Sequence, residues 1–454
     1  MMNTVKYGRL SLIIGLVIGL LPLSAAGAVY SCVELPPHLQ KKPLSLVELS
    51  DIALSCHPST RLTWAQSKAA WANLGIADSV FWPQISGLAS YNDNSLRPHG
   101  GGTVHQYSSA AGFSLNFLVW DFGVSWSKAK AAQLQWRAAL FNQSYALQQV
   151  ILTLEQTYYS LIGQKDVVIS SIQSVKEAKA NLDAANAMRD QGVATIGDVY
   201  QSKSALLQAE LALLQAEGTL KILEGQLLTN LGLPIKIPLN VAVVSDNFQT
   251  RPILESTECL MEYANHHRPD LLAAKAQFEA SDAQLLAVKR QVLPNIQLSV
   301  LSQSLNATKG NVAGSGTDTS IGFSNRIQLS LSVPIFTGFS NTYTIRQAEA
   351  QKQAAAAQYD TLAQQIDLQV WQYYFNLQTA AKSIESSRAL LISAKQAAEQ
   401  AYGQYKSGVG NILTVLTTQA TASSARTQWI QAKLNWYTAL AQFSATLGNL
   451  IRER

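Results

Sequence analysis

The amino-acid sequence is written twice, and this duplication constrains the fold more than any other feature. His57-Pro58-Ser59 through Phe81-Trp82-Pro83-Gln84-Ile85 parallels Arg268-Pro269-Asp270 through Val292-Leu293-Pro294-Asn295-Ile296, with Pro58 and Pro269, and again Pro83 and Pro294, 211 residues apart. From Trp120 onward the displacement is 216: Trp120 meets Phe336, Gln156 meets Gln372, Leu161 meets Leu377, Gly192-Val193 meets Gly408-Val409, and Leu231-Gly232 meets Leu447-Gly448. The second copy therefore carries five extra residues between Pro294 and Phe336. An offset sustained this long marks one supersecondary plan used twice.

Each copy has the same internal order. A helix over 58–82, and over 269–293 in the second copy, ends at a proline that begins extended chain. Two strands follow within 83–120 and 294–336, joined by polar loops expected at Arg97 to Gln106 and Asn306 to Ser320. Long helical hairpins fill 121–232 and 337–448. Period-two alternation identifies the strands. Ile85, Gly87, Ala89 and Tyr91 alternate with Ser86, Leu88, Ser90 and Asn92, and Phe113, Leu115, Phe117 and Val119 alternate with Ser114, Asn116, Leu118 and Trp120. The second copy repeats this with Ile296, Leu298 and Val300, then with Ile327, Leu329, Leu331 and Val333.

A sandwich buries such a face against another sheet, whereas a membrane barrel turns it to lipid and keeps uncharged polar groups in the lumen. Phe81, Trp82, Trp120 and Phe336 at the strand ends favour the barrel, because aromatic rings collect at headgroup level. Four strands cannot close a membrane barrel, since known ones start at about eight and an open edge would leave backbone polar groups in hydrocarbon. Several copies must therefore share one barrel, two giving eight strands and three giving twelve.

From Asn341 to Lys406 the chain has no proline and is rich in Ala and Gln, which predicts one helix about 100 Å long. Its apolar positions recur every seven residues at Ala348, Ala355 and Leu362, then after one eight-residue step at Val370, Leu377, Ile384, Leu391, Ala398 and Tyr405. Sevenfold recurrence is coiled-coil packing. The first copy repeats the pattern from Ser125 to Asp190, with Gly163 its main interior weak point. Turns at Gly192-Val193-Ala194 and Gly408-Val409-Gly410 reverse the hairpins at the end farthest from the strands.

Composition narrows the setting. Only 14% of the 454 residues are charged and 47% are hydrophobic, unlike charged disorder. The net charge of +5 is scattered, which argues against a nucleic-acid footprint. Lys6 and Arg9, the apolar stretch Leu10 to Leu23 and Ala26-Gly27-Ala28 form a secretory signal peptide over 1–28. Beyond it no run of about 20 apolar residues occurs, so a membrane span by the mature chain would have to be a barrel. Cys32, Cys56 and Cys259 can supply one disulfide with a thiol left over, or Cys32 can carry lipid, since Val29-Tyr30-Ser31 partly matches a lipidation run in which Tyr30 fits poorly.

Enzymatic motifs find little support. Asp121-Phe122-Gly123 spells a kinase metal motif without the accompanying nucleotide loop, and reads instead as a strand-to-helix cap. Cys56-His57, and His266-His267 beside Cys259, lack zinc spacing. The Gly310 to Gly316 loop has no following Lys-Ser or Lys-Thr. Neither catalysis, a metal nor a cofactor is expected.

From Leu44 to Leu450 the chain resembles the TolC family of outer-membrane channel proteins. The likeness rests on Pro83, on Trp120-Asp121-Phe122-Gly123 and Val333-Pro334-Ile335-Phe336 with Gly338 at the strand-to-helix joins, and on the Gly192 and Gly408 tips. It implies an all-α periplasmic coiled-coil barrel joined to a transmembrane β-barrel, with four strands per chain in a homotrimeric twelve-stranded barrel. It also implies equatorial elements in 29–57 and 233–268, with 449–454 a tail. The implied partners are a periplasmic adaptor and an inner-membrane pump of RND or ABC type. Adaptor contacts would map to Arg189, Gln191, Gly192 and Val193, and to Lys406, Ser407, Gly408 and Val409. The family's acidic aperture positions fall here on Thr414 and Thr417, with Asp198 and Gln201 in the first copy. A Thr ring should bind cations less strongly than carboxylates. The functions implied are an exit duct for small toxic compounds or drugs, or for a polypeptide in type I secretion; a non-channel structural or adhesive envelope protein is the remaining alternative from the strand and coil pattern.

Overall fold

The computed structural model describes residues 43–96, 104–237, 239–242, 255–309 and 318–448. In the first copy, helices α1 (Leu46–Cys56) and α2 (Pro58–Asp78) lead through a short 3-10 turn into strands β1 (Gln84–Leu96) and β2 (Val104–Trp120), then helices α3 (Val124–Asp190) and α4 (Ile196–Asn230). The second copy repeats this as α5 (Thr257–His267), α6 (Pro269–Arg290), β3 (Asn295–Lys309), β4 (Asp318–Ser332), α7 (Ser340–Lys406) and α8 (Ile412–Thr446). Among the described residues no helix is long and apolar enough to cross a membrane.

Local chemistry sets the boundaries. Ser45 and Glu48 form a reciprocal capping box at α1, and Pro58 and Pro269 open α2 and α6, where a missing N–H costs nothing. The helix expected over 58–82 gives way after Asp78 to the 3-10 turn Ser79–Phe81. At the start of α3 the Asp121 carboxylate accepts from the N–H of Gly123 at 3.1 Å and of Ser125 at 2.6 Å, while Phe122 and Gly123 are both left-handed. The long helices end at Gly192 and Gly408 with φ of 78° and 77°, a backbone an L side chain rarely adopts. Val193 and Val409 then donate back to the carbonyls of Met188 and Gln404, closing each helix with a Schellman-type turn.

The strands form one antiparallel sheet in the order β1-β2-β3-β4. The loops are shorter than the sequence suggests. Val104 to Gln106, Asn306 to Lys309 and Asp318 to Ser320 stay in the ladder, because cross-strand hydrogen bonding tolerates polar residues that a period-two apolar pattern does not reveal.

Two matching cores lie where α1 and α5 meet the long hairpins. Leu49, Ala53, Val150, Leu154, Leu161 and Leu227 are buried in one, and their repeat counterparts Leu260, Ala264, Ile366, Val370, Leu377 and Phe443 in the other. Of the heptad positions on α7, Ala348, Val370, Leu377, Ile384, Ala398 and Tyr405 are buried, while Ala355, Leu362 and Leu391 are half-buried. Coiled-coil spacing thus gives α7 one seam that packs Ala348 on Leu285 and Val288 of α6, and Ala398 and Tyr405 on α8.

The two copies are joined along α3 and α8 by a largely polar seam. Gln148 Nε2 donates to the Gly448 carbonyl at 3.1 Å, Lys433 Nζ lies 3.3 Å from Asp166, Ser174 and Ser423 share a hydrogen bond, Arg426 lies 3.6 Å from Glu177, and Asn181 pairs with Gln419. Gly163 is not a weak point. The helix runs straight through it, and a Cβ there would meet the Leu434 methyls at 2.3 and 2.5 Å, so the absent side chain makes room for α8.

Gly163→Ala should therefore lower stability by about 1–3 kcal/mol, and Leu434→Ala in the same chain should recover part of the loss. Denaturant unfolding of both variants measures this; an unchanged Gly163→Ala midpoint would mean that α3 and α8 do not approach so closely.

Candidate conduction pathway and tip

The sheet has two chemically distinct faces. Cross-strand register aligns Ile85, Leu115, Val300 and Ile327 in one row, with Phe117, Leu298 and Leu329 beside it. On the opposite face Gln84, Asn116, Ser299 and Gln328 align, followed by Ser86, Ser114, Leu301 and Arg326. The apolar face is uncovered in the single chain: Phe323 is 84% exposed and Ile327 77%. So large a contiguous apolar surface calls for lipid or protein against it. Each strand has at least 13 residues, more than the roughly 10 that a tilted strand needs to span hydrocarbon.

Phe81, Trp82, Trp120 and Phe336 are all exposed and all sit where strands join helices. They cluster at one end of the sheet. At the other end Tyr91 and Tyr107 stand on the same face, with Phe323 next along it towards the strand centres; the alternation contained Tyr91, but only the register places it with Tyr107. Arg290, missed in the sequence, ties the junction together by donating to Ser127 Oγ at 2.9 Å and the Gly123 carbonyl at 3.2 Å.

Both hairpin tips lie at the far end. Ala184 and Met188 pack against Ala401, Tyr405, Ile412 and Val415, bringing the Gly192 and Gly408 turns together. Gln191, Val193, Lys406, Ser407 and Val409 are exposed, with Gly192 and Gly408 at the bends. Arg189 is partly neutralised by Asp190, 2.7 Å away, whereas Lys406 has no ion pair among the described residues.

The four aperture candidates do not converge within one chain. Gln201 and Thr417 line one groove between α3, α4 and α8, about 570 Å³ in volume, with Asn181, Gln208 and Ser423. Asp198 instead caps α4, accepting from the Thr195 N–H at 2.8 Å. Thr414 is exposed one turn before Thr417. The Thr417 hydroxyl donates to its own helix, to the carbonyls of Leu413 at 2.9 Å and Thr414 at 3.0 Å, leaving its methyl the freer group. Burial and the nearby Asp198 carboxylate push the Tyr405 phenol up, and its buried hydroxyl has no hydrogen-bond partner.

Cys56 is disulfide-bonded and Cys259 is free and exposed; Cys32 and the signal peptide lie outside the described residues. His57 caps α2 by accepting from the Ser59 N–H, and His267 stacks on Tyr263. No metal-holding cluster of His, Cys, Asp or Glu occurs among the described residues.

A two-faced sheet joined to paired hairpins of this length defines a channel that couples a membrane barrel to a helical tunnel. The outer membrane efflux protein family model matches residues 49–233 and 260–449, and the chain belongs to that family. It is 26% identical to Protein CyaE of Bordetella pertussis over 92% of this chain and 86% of the relative, and 24% identical to Outer membrane protein TolC of Escherichia coli over 89% and 82%. The Campylobacter jejuni CmeC outer membrane channel shares the fold, with a TM-score of 0.76 over 89% of this chain and 86% of that one at 18% identity. The protein is an outer-membrane exit channel whose helical tunnel extends into the periplasm.

Tyr405→Phe removes a buried, unpartnered hydroxyl and should leave stability unchanged or raise it by about 1 kcal/mol. Because the folded phenol titrates above its unfolded value, wild-type stability should fall as pH rises beyond about 10, and that component should vanish in the variant. Thermal unfolding against pH reads both; a destabilised variant at neutral pH would show that the hydroxyl has a partner in the assembled protein.

Proposed function

We propose that the chain acts as a homotrimer whose twelve strands form one outer-membrane barrel, passively conducting small toxic compounds or drugs out of the cell. The observation that carries this reading is the open four-stranded sheet, apolar on one face and nearly uncharged on the other, continuous with helices too long for a compact domain. A periplasmic adaptor and an inner-membrane pump would supply the driving force, so the duct itself needs no cofactor. The family description supports efflux as the activity. Deleting the gene should sensitise cells to toxic small molecules; unchanged sensitivity together with loss of an exported polypeptide would reassign the duct to type I secretion.

The exposed residues at the two tips are the proposed adaptor contacts. Lys406→Glu should weaken adaptor binding more than Arg189→Glu, because Asp190 already offsets Arg189. Unchanged affinity in both variants would reject that surface, and equal losses would show that Asp190 does not offset Arg189.

Thr414 and Thr417 are the proposed aperture residues of the second copy, with Asp198 and Gln201 as those of the first. In a planar bilayer, Thr414→Ala with Thr417→Ala should raise single-channel conductance, while Thr414→Asp with Thr417→Asp should introduce block by millimolar divalent cations. Unchanged current in both would place the constriction elsewhere.

A further inference from the structure

The duplication extends to the hydrogen-bond register of the strands. Shifting β1 by 211 residues and β2 by 216 turns the pair Gln84 and Asn116 into Asn295 and Ser332, and Ser90 and Ala110 into Leu301 and Arg326; both are pairs of the β3–β4 ladder. The two hairpins are thus the same hairpin. Between them, β2 pairs with β3 through Ser114 with Leu301, Asn116 with Ser299 and Phe117 with Leu298, then bulges at Val119 before Trp120 meets Ile296. The outer edges of β1 and β4 have no partner strand among the described residues.

We infer that β4 of one copy pairs with β1 of the next in the register of the internal β2–β3 ladder. This rests on the shared-barrel reading and fixes what that reading leaves open. Carrying the internal pairs across by the same displacements sets Ser330 opposite Ser90 of the next copy, Ser332 opposite Leu88, Val333 opposite Gly87 and Phe336 opposite Ile85. Ile335, the counterpart of the bulged Val119, falls at the bulge, and it is 95% exposed in the single chain.

Three observations support the register. It sets Leu329 beside Tyr91 and Leu331 beside Ala89, so the apolar faces of neighbouring copies run on without a step; a slip by one residue would bring polar against apolar along the whole edge. It extends β4 through Val333, past Ser332 where the ladder with β3 ends at Asn295. It leaves Ile335 at the unpaired position of the bulge, where its exposed side chain meets no cross-strand partner. The internal template is tight at Gly112, where an added Cβ would meet the Ser302 carbonyl; its counterpart is Gln328, so the new ladder opens slightly there.

The test uses residues of the polar face in the full chain, with Cys259→Ser to remove the free thiol. Within one chain Ser90 lies in the row of Ala110, Leu305 and Gly322, so Ser90→Cys and Ser330→Cys, eight residues further along β4, place thiols about 30 Å apart, out of disulfide reach. Between copies they are directly opposed. Mild oxidation should convert the monomer band into dimers and closed trimers. Leu88→Cys with Ser332→Cys, from the same register, should do likewise. Ser90→Cys with Gln328→Cys, about 7–8 Å apart on the diagonal, should remain mostly monomeric. Efficient linkage of the diagonal pair instead of the opposed ones would overturn the register while leaving the assembly standing. The unoxidised oligomer is measured in parallel by light scattering in detergent; monomers there would overturn both the register and the shared barrel.

Discussion

Every backbone N–H and C=O that enters hydrocarbon needs a partner inside the protein, and a four-stranded sheet has two edges that cannot provide one for themselves. Much of the molecule follows from that requirement. Large apolar side chains such as Phe323 and Ile327 can stand exposed because they were never meant to face water. Duplication meets the requirement economically: a hairpin that pairs with its own repeat through β2 and β3 already has the chemistry to pair with a further copy.

The helical part solves a different problem with different forces. Helices about 100 Å long, such as α3 and α7, cannot bury a single large core, so the larger apolar clusters lie at the waist, with smaller ones at the tip and between. The two copies are joined by the β2–β3 ladder, by the packing of α3 on α6 and by the polar seam between α3 and α8. Its members are mutually satisfying pairs rather than isolated charges, which limits the desolvation cost. The exception is Arg426, whose Nη1 is buried without a hydrogen-bond partner.

The residues themselves disclosed the repeat, the strands and the sevenfold packing of α7, because each follows from periodicity along one stretch of chain. What stayed hidden depends on neighbours distant in sequence. Gly163 looks like a helix breaker until Leu434 is seen filling the space above it. Asp198 and Thr417 could be placed near the tip by spacing from the glycines, but not the turning of the Asp198 carboxylate onto Thr195 or of the Thr417 hydroxyl onto its own helix. The strand ends stay hidden for the same reason: polar residues near the hairpin turns remain paired because the opposite strand offers partners, not because their own pattern demands it.

The distance between waist and tip has a mechanical consequence. From Leu377 in the waist core to Lys406 at the turn, α7 extends about 44 Å as an unbroken helix. A rigid rod of that length pivoting by about 5° at the waist sweeps its free end through about 4 Å, the width of a side-chain layer. The tips therefore act as the long arm of a lever whose fulcrum is a compact hydrophobic core. Small rearrangements near α1 and α5, far from either turn, would be geometrically amplified into displacements of the tips.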